Sequence, residues 1–281
     1  MAATLLGAHM PTAGGLGGAV RSGAAIGCSA IQVFTSSPRM WKSSPASEEK
    51  KKDLDAARKE TGISTLVSHD TYLVNLCHVD DEISHKSLAT LTDEMVRCSA
   101  YEIPFVVSHM GSFGAQEPAV ALKRIAEATL KILDTTPPNV TLCMETMAGQ
   151  GSSANSRFEE LAIILEHCKS PDRLAVCLDT CHIFAAGYDI RTEETYDATF
   201  KEFERVIGID KLKVIHCNDS KKPFASRVDR HADIGQGEIG LTAFRCLVND
   251  PRFTNTPILI ETPEAEEGHA KNIAKLKSLI A

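Results

Sequence analysis

Short, continuously apolar runs alternate along this chain with longer stretches in which apolar residues recur at helical spacing. The runs are 5–8, 30–34, 64–67, 105–107, 140–144, 174–178, 212–215 and 258–260; the helical patterns are 16–25, 48–61, 82–100, 119–133, 158–168, 194–206, 241–247 and 268–280. Runs so short and apolar suit strands covered on both faces, as in a parallel sheet whose crossovers are helices. Eight strand–helix units in strict alternation predict an α/β fold, a single (β/α)8 TIM barrel with its active site at the C-terminal ends of the strands. No internal repeat or Pro/Gly linker breaks the series, so one domain over 1–281 is expected. Pro137-Pro138 reads as the turn before the fifth strand.

Composition agrees with that size of core. The chain has 281 residues, 43% hydrophobic, against about 250 for a typical barrel of this kind. The opening Met-Ala-Ala-Thr runs into Leu5-Leu6 with no basic leader and no long apolar segment, so a soluble, unsecreted protein with no membrane partner is expected, cytoplasmic or, in a eukaryote, nuclear. Nine cysteines, mostly inside apolar runs, read as reduced core thiols, and the Cys177/Cys181 pair as packing rather than ligation. The mixed-sign run Glu48-Glu-Lys-Lys-Lys-Asp reads as a solvated helix face. A net charge of −7 argues against a phosphate-backbone partner unless some of the acids hold cations.

Such acids stand where the strands end. The sequence reads Ser68-His69-Asp70, Ser108-His109-Met110, Met144-Glu145-Thr146, Leu178-Asp179-Thr180, Ile215-His216-Cys217 and Ile260-Glu261-Thr262 after six consecutive strands. In a barrel these ends converge on one face. A single polar residue there is ordinarily a cap, but six in succession would bury far too much charge without cations. Two clusters add to the set. His182 follows Asp179 by three residues where a helix or loop begins, and Asp229-Arg-His231 aims its outer side chains one way if extended. His182, Asp229 and His231 make a three-ligand site with room for water or substrate. The candidate ligands are thus His69, His109, Glu145, Asp179, His182, His216, Asp229, His231 and Glu261, and imidazoles mixed with carboxylates favour zinc, with manganese or iron as alternatives. His9 faces the same cavity, either as a contact to phosphate or bound water or as a structural residue.

Several motifs extend this reading: Gly7-Ala-His-Met-Pro-Thr-Ala-Gly-Gly15, His69-Asp-Thr-Tyr-Leu-Val-Asn-Leu76, Ala148-Gly-Gln-Gly-Ser152, Cys177-Leu-Asp-Thr-Cys-His-Ile-Phe-Ala-Ala-Gly-Tyr-Asp189 and Ser226-Arg-Val-Asp-Arg-His231. From residue 5 to about residue 264 the chain resembles the endonuclease IV family, zinc-dependent apurinic/apyrimidinic endonucleases of the xylose-isomerase-like barrel superfamily. The resemblance implies three Zn2+ ions: one held by His69, His109 and Glu145, a second shared through Glu145 with Asp179, His216 and Glu261, and a third held by His182, Asp229 and His231. It implies in-line attack by zinc-activated water on the phosphorus 5′ to an abasic deoxyribose in duplex DNA, giving a 3′-hydroxyl and a 5′-deoxyribose phosphate. Removal of 3′-blocking groups is also implied. Glu145, Glu261 and His182 are the implied catalytic residues, Arg39, Tyr72 and Leu73 the implied DNA contacts, and a monomer the implied state. The chain departs from the family pattern at Ser68, Ser108, Thr146 and Ala225, none of them a ligand. The alternative from the same superfamily is a metal-dependent sugar isomerase or epimerase, which would not require His182 with Asp229 and His231.

Overall fold

The computed structural model describes residues 4–169, 171–263 and 267–281. The opening Met-Ala-Ala and residue 264, the far limit of the resemblance, lie outside the described residues. Eight strands form the barrel: β1 (Leu6–His9), β2 (Ala30–Val33), β3 (Thr65–His69), β4 (Phe105–Ser108), β5 (Thr141–Glu145), β6 (Leu174–Asp179), β7 (Leu212–His216) and, after a small hairpin of β8 (Asp219–Ser220) and β9 (His231–Ala232), β10 (Ile258–Ile260). The barrel closes in the order β1-β10-β7-β6-β5-β4-β3-β2, every neighbour parallel. Helices α1 (Gly15–Ala25), α2 (Glu48–Thr61), α3 (Asp81–Ala100), α4 (Pro118–Thr135), α5 (Phe158–His167), α6 (Thr180–Ala186), α7 (Glu193–Val206), α8 (Leu241–Asn249) and α9 (Glu267–Lys277) provide the crossovers and close the chain.

Local chemistry explains the element ends. The Ser47 side chain accepts from the Lys50 N–H to open α2, and Gly62 closes it in the left-handed region at φ 77°. Asp80 caps α3 by accepting from Glu82 and Ile83, and Pro118 opens α4, where its missing N–H costs nothing. The charged opening of α2 is exposed, as its mixed charge predicts. Gly7 is demanded by barrel closure, because a Cβ there would lie 1.8 Å from the Ala30 carbonyl oxygen.

Two apolar layers result. The larger fills the space between strands and helices; the smaller, of Ala30, Val67, Val107, Cys143, Ala175, Cys177, Val214 and Leu259, plugs the barrel itself. All nine cysteines are free thiols, eight of them buried. Among the described residues no helix is long and apolar enough to cross a membrane.

The strands run further than the apolar pattern suggests. Expected to stop before the polar residues, β1, β3, β5, β6 and β7 instead end on His9, His69, Glu145, Asp179 and His216. The ladder continues through them, pairing His9 with Gln32 and Asp179 with His216. Two elements lie outside the predicted series: α6, which starts directly on the Asp179 cap, and the β8–β9 hairpin.

Candidate metal centre

The two-residue period of a strand decides what meets at the barrel mouth. Two positions beyond each plug residue comes the next inward side chain, so Ala30, Val67, Val107, Cys143, Cys177, Val214 and Leu259 are followed by Gln32, His69, His109, Glu145, Asp179, His216 and Glu261. His9 completes the ring from β1. The ring rests on a dry apolar plug, which leaves its charges little water to turn to.

Glu145, fully buried, is the centre of the ring. Its Oε2 lies 3.1 Å from both His69 Nε2 and His109 Nε2, and its Oε1 3.1 Å from His216 Nδ1. His216 Nδ1 is also 3.2 Å from Glu261 Oε2. On the far side Asp229 places one oxygen 3.2 Å from His182 Nε2 and the other 3.2 Å from His231 Nε2. Three groups of side chains therefore present ligand atoms within 4.8 Å of one another: His69, His109 and Glu145; Glu145, Asp179, His216 and Glu261; and His182, Asp229 and His231. These groups have the membership of the three sets that the family resemblance implies. Asp179, Cys181 and His231 form a further grouping, in which burial, with Asp179 adding to it, pushes the metal-free Cys181 thiol up to about 12.

The donor set fits cations. His182 Nε2 and His231 Nε2 are buried and make no hydrogen bond, although each lies 3.2 Å from the Asp229 carboxylate. Their opposite nitrogens are engaged, His182 Nδ1 with the Thr146 carbonyl at 2.8 Å and His231 Nδ1 with the Glu261 carbonyl at 3.1 Å. His69 repeats the pattern, with Nδ1 on the Asp70 carbonyl at 2.7 Å. A backbone carbonyl accepts only, so each contact puts the proton on Nδ1 and turns the Nε2 lone pair toward the cluster, the arrangement metal-binding histidines use.

Without cations the carboxylates push His69, His182, His216 and His231 toward the imidazolium form. Burial alone would lower His69, but its bond to Glu145 and the charges of Glu145 and Glu261 carry it to about 9; His231 also rises to about 9, against burial, chiefly through Asp179 and Asp229. Burial would raise Glu145, yet His216, His109 and His182 hold it well below the usual carboxylate range. Asp229 is lowered in the same way by His182 and His231.

A probable endonuclease 4 of Chloroflexus aggregans is 44% identical over 277 residues, 98% of this chain and 97% of the relative. The chain belongs to the endonuclease IV family. Another relative, a probable endonuclease 4 of Geobacter sulfurreducens, is 41% identical over 278 residues, covering 98% and 94%. The family model described as xylose isomerase-like TIM barrel matches residues 20–279. The crystal structure of endonuclease IV from Thermus thermophilus matches with a TM-score of 0.87 at 34% identity, covering 98% of each chain. A D-tagatose 3-epimerase-like protein, TM-score 0.71 at 15% identity over 97% of this chain and 96% of its own, shares the fold alone. As a member of the endonuclease IV family the chain is a hydrolase.

The departures from the endonuclease IV pattern have visible places. Ser68 and Ser108 point away from the ring: Ser68 Oγ donates to Glu94 Oε1 at 2.5 Å within the buried Glu94–Arg97 pair, and Ser108 Oγ to Asp70 Oδ2 at 3.2 Å. Thr146 braces the site twice, its Oγ1 accepting from the Asp179 N–H at 2.9 Å and its carbonyl taking His182 Nδ1. Ala225 stands at φ 57°, a left-handed conformation that glycine adopts without strain.

Arg39 and Tyr72 are exposed at the rim and Leu73 is half-buried. Their loops are locked together, since the Pro38 carbonyl accepts from Thr71 Oγ1 at 2.6 Å and from the Tyr72 N–H at 3.3 Å. The Tyr72 ring lies 5.6 Å from the His69 ring, so this rim overhangs the ring of ligands. Sequence reasoning missed two buried residues that serve the site. Asn218 donates to Asp179 Oδ2 at 2.7 Å and accepts from the Glu261 N–H at 2.7 Å. Gln32 contacts His9, His216 and Glu261. A glutamine amid the apolar Ala30-Ile-Gln-Val strand was the available signal for the second.

Proposed function

We propose that the chain is a three-zinc apurinic/apyrimidinic endonuclease that hydrolyses duplex DNA 5′ to abasic sites, leaving a 3′-hydroxyl and a 5′-deoxyribose phosphate, and that also clears 3′-blocked ends. The observation that carries this is the His182, Asp229 and His231 group, with two buried nitrogens lacking hydrogen bonds, set beside two groups that share Glu145. His69, His109 and Glu145 would hold one ion, Glu145, Asp179, His216 and Glu261 a second, and His182, Asp229 and His231 a third, with manganese or iron able to replace zinc. When bound, the ions would supply water ionised near neutrality and positive charge for the phosphate oxygens.

The chain's own groups divide the remaining work. Glu261 or Glu145 would orient the attacking water or accept its proton. His182, anchored on Thr146, stands on the leaving-group side. Arg39 reaches toward the duplex while Tyr72 and Leu73 act as a wedge, which favours positions where no base resists extrusion. Cation loading also reconciles the acidic composition with a polyanionic partner, because three divalent ions among four carboxylates and neutral imidazoles would leave a local charge of about +2. In this reading residues 1–281 act as one domain, as a cytoplasmic monomer. The epimerase alternative is supported only by likeness of fold.

The test is incision of a duplex carrying one tetrahydrofuran abasic analogue, with metal content measured in parallel. The analogue cannot undergo β-elimination, so cutting on its 5′ side by the metal-loaded protein is hydrolysis and is the expected result. Fully metallated protein that leaves the analogue intact would sink the proposal.

Metal loading itself is expected to release protons. His69 and His231 titrate near 9 in the metal-free fold, above the ordinary 6.5, so their pairing stabilises that fold fully below about pH 6.5 and is lost as pH rises through about 9. Zinc takes neutral imidazole, so binding near neutrality must expel these protons, and affinity should rise with pH up to about 9. Calorimetric zinc titrations in two buffers of different ionisation heat should show about two or more protons released; a heat independent of buffer would contradict it.

A further inference from the structure

Every barrel strand contributes one side chain to the ring, within the strand or, for His109 and Glu261, from the residue just past it, and on β2 that residue is neither an imidazole nor a carboxylate. Gln32 is wholly buried, two residues beyond Ala30 of the plug and paired in register with His9. Its Nε2 lies 2.6 Å from Glu261 Oε1 and 2.9 Å from His9 Nδ1, and its Oε1 lies 2.8 Å from His216 Nε2.

The orientation of this amide follows from charge. An amide oxygen 2.6 Å from a carboxylate oxygen would be repelled, so the nitrogen faces Glu261 and the oxygen faces His216. An amide oxygen only accepts, so His216 Nε2 carries the proton. In the neutral form that a metal takes, the lone pair then sits on Nδ1, which faces Glu145 Oε1 at 3.1 Å and Glu261 Oε2 at 3.2 Å. Both hydrogens of the amide nitrogen are used. One holds Glu261 Oε1, leaving Oε2 turned to His216 Nδ1; the other points toward His9 Nδ1, 2.9 Å away, which itself lies 3.3 Å from Glu261 Oε1.

We propose that Gln32 is the positioning residue of the Glu145, Asp179, His216 and Glu261 group, fixing His216 in the tautomer that ligates through Nδ1 and holding Glu261 with one oxygen free for the metal. It reverses at His216 the arrangement found at His69, His182 and His231, where backbone carbonyls engage Nδ1 and leave Nε2 free. His216 needs a side-chain partner because it presents its opposite nitrogen to the cluster. The inference rests on the metal reading above.

Two measurements on the full-length protein test it. In the zinc-loaded wild type, nitrogen-15 NMR of the histidine rings should show His216 protonated on Nε2 with zinc on Nδ1; the opposite tautomer would overturn the proposal, and this readout needs no variant. In Gln32→Met, which keeps length and removes both hydrogen-bonding atoms, cadmium-113 titrations followed by NMR should show about 10–100-fold weaker binding at the His216 group, with the His182, Asp229 and His231 group unchanged. Unchanged affinity at the His216 group, or an equal loss at all groups, would overturn it, the latter indicating a merely structural role. A wild type with three occupied sites and an indifferent Gln32→Met variant would remove this inference alone, whereas a wild type with no metal on His216 would remove the metal reading as well.

Discussion

Glu261→Gln should lower the rate of incision at a tetrahydrofuran site by about 10³-fold or more, close to 4 kcal/mol at about 1.36 kcal/mol per decade, while the chain folds normally. The volume is unchanged and the neighbours dictate the new group's orientation. Gln32 Nε2 donates to Glu261 Oε1 at 2.6 Å, so the oxygen of the substituted amide must take that place. Its NH2 then turns to where Oε2 stood, 3.2 Å from His216 Nδ1, presenting hydrogens where a ligand and base are required. The substitution removes a full charge as well. Burial opposes ionisation of Glu261, but His216, the bond to His9 and the charge of His69 prevail and hold it well below the ordinary carboxylate range. Single-turnover incision with zinc content measured on the same sample decides the matter. A fully metallated variant within about tenfold of wild type would exclude Glu261 from the chemistry.

The second large effect is expected at the other end of the site. His231→Ala should lose one ion per chain and retain the others, with incision down by about 10³-fold if that ion supplies several kcal/mol to the departing oxygen. The selectivity has a structural basis. His231 reaches the site from β9, its Nε2 3.2 Å from Asp229 and 3.7 Å from Asp179, and it meets the groups built on Glu145 through that longer contact to Asp179 and through the bond of its Nδ1 to the Glu261 backbone carbonyl, not through the Glu261 carboxylate. Elemental analysis of the purified variant, paired with the incision assay, reads both quantities. Retention of every ion with undiminished rate would remove the His182, Asp229 and His231 group from the functional site.

The convergence of the strand-end residues was legible for a definite reason. His69, His109, Glu145, Asp179, His216 and Glu261 stand at the ends of short apolar runs, and charge at the edge of a buried strand demands a partner wherever the chain folds. Gln32 escaped because an uncharged amide raises no such alarm, although counting two residues on from Ala30 would have placed it inward. Asn218 escaped because it follows His216 in a segment without periodicity, and its role is visible only once Asp179 and the Glu261 N–H lie on either side of it. Helix α6 was hidden because β6 and α6 form an almost unbroken apolar stretch, divided by the Asp179 cap, which accepts from the His182 N–H at 2.8 Å, and ended by Gly187 at φ 109°.

By itself the sequence determined the barrel, since eight two-face-buried strands separated by amphipathic helices have few other ways to cover their surfaces, and it supplied the inventory of candidate ligands. Their grouping into three sets was implied by the family resemblance, and only the tertiary structure decided how they are oriented. The β8–β9 hairpin has two residues per strand, too few for a pattern, and takes its shape from Asp219, whose carboxylate accepts from the N–H groups of Ser220, Gly235, Gly237 and Ile239. That loop carries Asp229 and His231 across to His182, a meeting fixed by hydrogen bonds between segments far apart in the chain. Which nitrogen each histidine offers is likewise set by carbonyls and by the Gln32 amide, contacts that exist only when the barrel is closed.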